Sequence, residues 1–407
     1  MAIFDDFLAH WQVYLSMPVI AAAIGYLTKR AAIEMMFRPL RFVGLKEPFL
    51  GWQGVVPRNS ERMIRISADL LTRRLVDTRE ILARLDPDRI AKEIEGPLLL
   101  AVDRITREVM AKYQPGLWER LPPLAQELLV KQAQAGSPML VKRIMAELQD
   151  NIDDLLDIRQ VAVSALTRDK ALLVRLTRDI SKPEMAFIAR CGIYFGLVLG
   201  LVQTVVWAMT RQPLVLPLFG ALIGWFTDWL AIKLVFFPRQ AKRFGPLHFQ
   251  GVFQRRRDEV AVQYAEIVAR EVMTVPNILD AVLRGSRSDR LLAVIHDVVR
   301  QTIDEQASIV RPVIAITAGT ETFEAMKRDA ADRAVRYLPE TLAHATDYAT
   351  TALDIRDTIA TRMRRLTRVE YEGLLRPAFR QDEWKLIAVG AVIGAIIGEL
   401  QVLLLLH

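Results

Sequence analysis

Cysteine is almost missing from this chain. Its 407 residues include one, Cys191, which excludes a disulfide framework and any CxxC metal site. Histidine is scarce too: His10, His248, His296, His344 and His407 stand far apart and form no metal-ligand spacing. No metal and no cofactor is expected. Paired-histidine, Cys-His, HExxH, GxSxG and GxxxxGK patterns are also missing, so the chain reads as a non-enzyme. Segments poor in apolar residues are few, which excludes intrinsic disorder. The first residues carry Asp5 and Asp6 but no Lys or Arg, whereas a cleavable signal begins with a basic region, so no cleaved leader is expected.

Apolar residues make up 52 % of the chain and charged residues 25 %. With 54 basic and 47 acidic side chains, the chain cannot consist of spans alone. The mean hydropathy of +0.20 must therefore be concentrated locally. Four stretches approach the roughly 20 apolar residues that a membrane span needs. They are 13–37 (with Lys29, Arg30 and Glu34 near its end), 185–209, 214–237 and 384–406. Two charged, helix-like blocks separate them, at 38–184 and 238–383, and a short turn at 210–213 joins the middle spans.

The net charge of +7 suits an anionic partner, either nucleic acid or an anionic membrane face. Placement decides between them. Residues 1–12 hold no Lys or Arg, and the 210–213 turn holds only Arg211. Basic residues gather at the other span ends: Arg38, Arg41, Lys46, Arg58 and Arg62; Arg175, Arg178 and Lys182; Arg239, Lys242, Arg243 and Arg255 to Arg257; Arg364, Arg365, Arg368, Arg376 and Arg380. By the positive-inside rule, both blocks are cytoplasmic, and both termini and the turn lie outside.

The chain also repeats itself. Gly25 to Pro39 (GYLTKRAAIEMMFRP) matches Gly224 to Pro238 (GWFTDWLAIKLVFFP) at an offset of 199. Gln53-Gly54-Val55 matches Gln250-Gly251-Val252, and Asp157-Ile158-Arg159 matches Asp354-Ile355-Arg356, both at 197. Gly192 to Gln203 (GIYFGLVLGLVQ) matches Gly390 to Gln401 (GAVIGAIIGELQ) at 198. Order and spacing hold across nearly the whole chain. Each unit is span, Gln-Gly-Val turn, block, span. Two crossings per unit give both units one orientation, so the pseudo-twofold lies along the membrane normal. The expected fold is all-α: four transmembrane helices and two homologous cytoplasmic helical blocks in parallel tandem repeat. These motifs over 20–406 resemble the domain-of-unknown-function 445 family of bacterial membrane proteins. The resemblance implies an inner-membrane protein and no particular activity. That family often has Asn after the motif threonine, where this chain has Lys29 and Asp228.

Aligned repeats place Lys29 opposite Asp228 and Glu34 opposite Lys233, each pair of opposite sign. A lone charge in hydrocarbon is costly. Three readings stand: an ion path, pairs that pin one repeat to the other, or an interfacial continuation of each span. Gly192, Gly196, Gly200 and Gly390, Gly394, Gly398 recur every four residues, a spacing that lets helix backbones approach. Gln203 and Gln401 continue those strips and can hydrogen-bond across the interface, while Glu399 is an unmatched intramembrane carboxylate. Arg38, Arg41, Arg58, Arg239, Lys242, Arg243, Arg255, Arg256 and Arg257 are the candidate anionic-lipid contacts, at about 1 kcal/mol per charge near the surface. So short a cluster beside a span disfavours nucleic acid.

In the blocks, Met63, Ile66, Leu70 and Leu71 recur at helical spacing, as do Val260, Tyr264, Ile267 and Val268. Asp86-Pro87-Asp88 and Ser286-Arg287-Ser288 look like helix starts; Pro115-Gly116, Pro122-Pro123, Pro312 and Pro339 look like interruptions. No strand alternation is long enough for a sheet. The expected role is a membrane-anchored scaffold or lipid-contacting module that binds anionic inner-leaflet lipid, with a cytoplasmic or envelope protein as a further candidate partner. The alternative is a small transporter or channel whose path is lined by Lys29, Glu34, Asp228, Lys233 and Glu399.

Overall fold

The computed structural model describes residues 11–46, 50–236, 242–244, 247–249, 251–285, 287–306, 319–373 and 383–406. Residues 1–10, Arg239, Gln250, Pro312, Arg376 and Arg380 lie outside the described residues. Eight described helices reach 14 residues or more: α1 (Trp11–Phe37), α2 (Glu95–Tyr113), α3 (Ser137–Asp150), α4 (Lys170–Thr210), α5 (Val215–Phe236), α6 (Ser288–Gln306), α7 (Thr320–Ala343) and α8 (Glu383–Leu406). Among the described residues the fold is all-α apart from two antiparallel hairpins, β1 (Val43–Lys46) with β2 (Leu50–Trp52), and β3 (Lys242–Phe244) with β4 (Leu247–Phe249). Their strands of three or four residues are too short to show a period of two, which is why the sequence gives no sign of them.

The chain divides into two compact units. Unit 1 holds 1–67, 166–264 and 360–407; unit 2 holds 68–165 and 265–359. The two charged blocks therefore supply one helical unit between them, and its core cluster draws on both: Leu155 with Leu291, Ile295, Val299 and Ala331. Apolar stripes tell which face of a helix is buried, but not against which other segment.

In unit 1, α1 packs along α4 and α5 along α8, and further contacts of α4 with α5 and of α1 with α8 close the bundle. Helix α4 starts where Asp169 accepts from the Ala171 amide at 2.9 Å. It ends at Arg211, which takes the left-handed conformation with φ 50° just before Pro213. Its 41 residues reach roughly 60 Å at 1.5 Å each, about twice the hydrocarbon thickness. The span expected at 185–209 is thus the last part of a longer helix that runs through Pro183 unbroken.

Among the described residues, three helices are long and apolar enough to cross a membrane: 171–210, 215–234 and 383–403. Helix α1, expected as a fourth, is not one of these; Lys29, Arg30 and Glu34 stand in its last third. It is 27 residues long.

In unit 2, α7 packs on α2 and α6, and α3 on α6. Asp86 caps the helix Pro87–Glu93 by accepting from the Asp88 amide at 2.9 Å, at the start read from the sequence. Pro115 and Pro123 open short helices, Pro115–Arg120 and Pro123–Ala135. Pro339 does not interrupt: it sits inside α7, four residues from its end. A π-helical turn at Leu71–Leu75 recurs at Val268–Val272, 197 positions later.

Candidate functional site

The motif Gly-x-x-Thr-charge lies in the interior of the unit 1 bundle. A Cβ on Gly25 would run into the Gly192 carbonyl, and one on Gly224 into the Gly390 carbonyl. Only glycine lets the backbones of α1 and α4, and of α5 and α8, approach this far. One turn on, the Thr28 hydroxyl donates to the Ile24 carbonyl at 2.8 Å and the Thr227 hydroxyl to the Ile223 carbonyl at 2.6 Å. Each threonine satisfies its own donor within its helix.

Next come the charges. Lys29 Nζ is 2.7 Å from Asp228 Oδ1 and donates to Thr227 Oγ1 at 2.5 Å. The lysine side chain is 0 % exposed and the aspartate 5 %. Burial removes the water that would otherwise solvate both ions, so each depends on the other. Asp228 Oδ2 has no hydrogen-bond partner and lies where a Cβ on Gly390 would be. Lys29 Cγ lies 3.0 Å from the corresponding point on Gly192. These two glycines thus admit the charged side chains as well as the facing helix.

The other glycines of the ladders meet backbone or small residues. Gly196 faces Ala21 and Ala22, Gly200 faces Pro18 and Ala21, Gly394 faces Gly220, and Gly398 faces Leu216 and Pro217. Gln203 Nε2 donates to Gln401 Oε1 at 3.4 Å, with both side chains buried. Gln203 Oε1 and Gln401 Nε2 are left without partners.

The second charge pair does not form. Glu34 accepts from Arg178 at 2.8 Å, and Lys233 lies 4.4 Å from the centre of the Trp229 ring. Both side chains sit near helix ends with solvent access, so each takes the nearest partner. Glu399 is exposed on α8 and does not join the buried cluster.

The nominated lipid-contacting cations divide. Arg38, Arg41, Arg58 and Arg255 are exposed. Lys242 and Arg243 belong to β3. Arg256 and Arg257 are half-buried, and both hold the fold together. Arg256 reaches Glu184 at 2.8 Å and Glu259 at 2.7 Å. Its partner Glu184 is 2 % exposed, an interior position where an unpaired carboxylate would be costly. Arg257 donates to the carbonyls of Arg364 and Leu366 and lies 5.9 Å from the Tyr371 ring centre. Tyr371 stacks on Phe253 at 4.4 Å. No spacing marks Glu184, Phe253 or Tyr371, because their partners are distant in sequence.

The Gln-Gly-Val turn has a structural role in its first copy. Gln53 donates to the Leu40 carbonyl at 3.0 Å, and the Gly54 amide to the Pro39 carbonyl at 3.0 Å. A Cβ on Gly54 would lie 2.9 Å from the Arg38 amide nitrogen. The turn therefore clamps the segment that leaves α1. Leu40 ahead of the hairpin and Val43 and Leu45 in its first strand are exposed, Leu45 at 94 %.

Comparison with known proteins agrees with a membrane location. The chain is 33 % identical over 158 residues to a UPF0754 membrane protein of Nostoc sp., covering 35 % of this chain and 37 % of the relative. A UPF0754 membrane protein of Nostoc punctiforme is 32 % identical over 158 residues, covering 35 % and 38 %. A UPF0754 membrane protein of Synechococcus sp. (strain JA-3-3Ab) aligns at 25 % identity over 98 % of this chain and all of its own length. The matches to the two Nostoc proteins thus span well under half of those relatives. No family model matches the chain, and no solved structure does. This is a helical membrane protein similar to an uncharacterised family found across cyanobacteria.

Proposed function

We propose that the chain is a four-span inner-membrane protein that acts as a non-enzymatic, lipid-contacting scaffold. The observation that carries this is the inverted layout of unit 1. Leu15, Val19 and Leu27 on α1 face outward, as do Leu197, Val198 and Val205 on α4, Leu218 and Leu222 on α5, and Val392 and Ile396 on α8. The polar residues Thr28, Lys29, Gln203, Thr227, Asp228 and Gln401 are buried. A water-soluble protein does the reverse. Helix α1 shares the pattern, and its Lys29 charge is answered inside the bundle, which supports counting it as the fourth span.

The same contacts support a parallel tandem repeat. Lys29 meets Asp228, and Gln203 meets Gln401, each residue meeting its own counterpart. Counterparts can touch only near the pseudo-twofold axis. By the positive-inside rule, the basic residues near the span ends support a cytoplasmic unit 2.

The tight glycine contacts and the dispersal of Glu34, Lys233 and Glu399 favour an anchor over a transport path. Exposed Arg38, Arg41, Arg58 and Arg255 are then the lipid contacts, with the exposed apolar residues Leu40, Val43 and Leu45 following Arg38 and Arg41 in the chain. The test is the lipid that co-purifies with the protein. Changing these four arginines to glutamine should abolish enrichment of anionic over zwitterionic lipid; unchanged enrichment would overturn the reading. Solute flux in proteoliposomes that is lost in Asp228→Asn or Glu399→Gln would instead establish the transporter.

A further inference from the structure

Unit 2 contains an apolar cavity of ≈ 210 Å³. Both chain segments build it, with Ala101, Val102 and Ile144 from one and Ile278, Ile295 and Leu338 from the other. The wall is aliphatic save for Gln149, Tyr337 and Thr341. All three already have partners. Gln149 donates to the Leu82 and Leu85 carbonyls, Thr341 to the Tyr337 carbonyl, and Tyr337 to Glu108 at 3.2 Å. The wall therefore offers water almost nothing to bind. An apolar cavity of ~150 Å³ takes up benzene rather than water, so this one scales to about eight carbons.

The cavity has a charged neighbour. The Arg104 guanidinium lies 5.3 Å from the centre of the Tyr337 ring, and Tyr337 lines the wall. Glu108 is already held by Arg333 and Tyr337. Arg104 is exposed, and among the described residues it makes no ion pair. An apolar chamber beside an available cation matches a molecule with an alkyl chain and an acidic head.

We propose that unit 2 binds the alkyl chain of a single-chain anionic lipid, such as a medium-chain fatty acid, with Arg104 facing the carboxylate. The aliphatic wall fits a saturated chain. The exposed cation argues for an acid over a neutral alkane. This site lies in unit 2, apart from the headgroup contacts proposed on unit 1, and either can fail without the other.

The test uses the full chain in phosphatidylcholine nanodiscs with a diazirine-bearing decanoic acid as probe. After irradiation, labelled peptides are mapped by mass spectrometry. The expected result is label within 82–105, 140–156, 278–299 or 334–353, in addition to unit 1 helices that meet the probe in the bilayer. Ala101→Phe with Ala334→Phe fills the cavity and should cut the unit 2 label at least tenfold. Persisting label on α4 and α8 reports that the variant is inserted. Should the filled variant not fold, Arg104→Glu decides. It should cut labelling by the acid several-fold and leave labelling by the matching diazirine decanol unchanged. Label confined to unit 1, or unit 2 label that survives filling and ignores the Arg104 change, overturns the proposal.

Discussion

Two lysines show what burial does to a charge here. Lys29 sits wholly inside the unit 1 bundle against Asp228. Removing one member of such a pair strands the other and costs about 3–5 kcal/mol. Lys29→Asp and Asp228→Lys should each lower the thermal stability of the purified protein sharply, and the double exchange should recover most of the loss. A double variant no better than either single one would show that the contact is dispensable. Lys327 in unit 2 is 4 % exposed and lies 2.6 Å from Glu324 and 2.9 Å from Asp304. Its hydrogen bond holds the Glu324 carboxyl below its ordinary 4.5. A depressed carboxyl stabilises the fold above its ordinary value, and that contribution is lost as pH falls through the lower folded value. Wild type should therefore lose melting temperature as pH falls below 4.5 more steeply than Lys327→Met. Parallel slopes would count against the pairing. The Lys29 contact was legible in the sequence, because aligned repeats set opposite signs at one position. The Glu184–Arg256 pair was not, since 72 residues separate its members and neither belongs to a motif.

Among the elements, the glycine ladders carry the sharpest expectation. Gly394→Val must force the Gly220 carbonyl away and separate α5 from α8. It should reduce the yield of folded protein and its melting temperature, as should Gly25→Val between α1 and α4. Gly96 and Gly116 are the contrast: both lie in helices, and a Cβ at either meets nothing within 4 Å. Replacing either by alanine should stabilise unit 2 by about 0.4–1 kcal/mol through reduced freedom of the unfolded chain. A four-residue glycine period on an apolar helix was readable because close packing in lipid has few other solutions. The hairpins after α1 and α5 were not, nor was the continuation of α4 through Pro183. Short strands lack periodicity, and a proline can be accommodated in a helix when the surrounding packing holds it.

For the whole molecule, the decisive fact is that both charged blocks enter one unit. Expressed alone, residues 1–211 or 212–407 should give a protease-sensitive soluble part. Co-expressed, they should give a resistant one, because Leu155 then finds Leu291 and Ile295. Equal resistance of the separate halves would mean that each block folds by itself. The sequence indicated a helical fold and the three helices apolar enough to cross a membrane. It could not show this union, since two amphipathic stripes of similar pattern can each close on themselves or on one another.

That union also sets a clock. Unit 2 is unfinished until residue 359 has been made, 194 positions after its first segment ends at 165. At roughly 5–20 residues per second, the early segment waits on the order of 10–40 s for its partner. Early in that interval the ribosome makes α4 and α5, and throughout it half of a hydrophobic core stays uncovered. A chain built in this order depends on whatever shields nascent apolar surface beside the membrane.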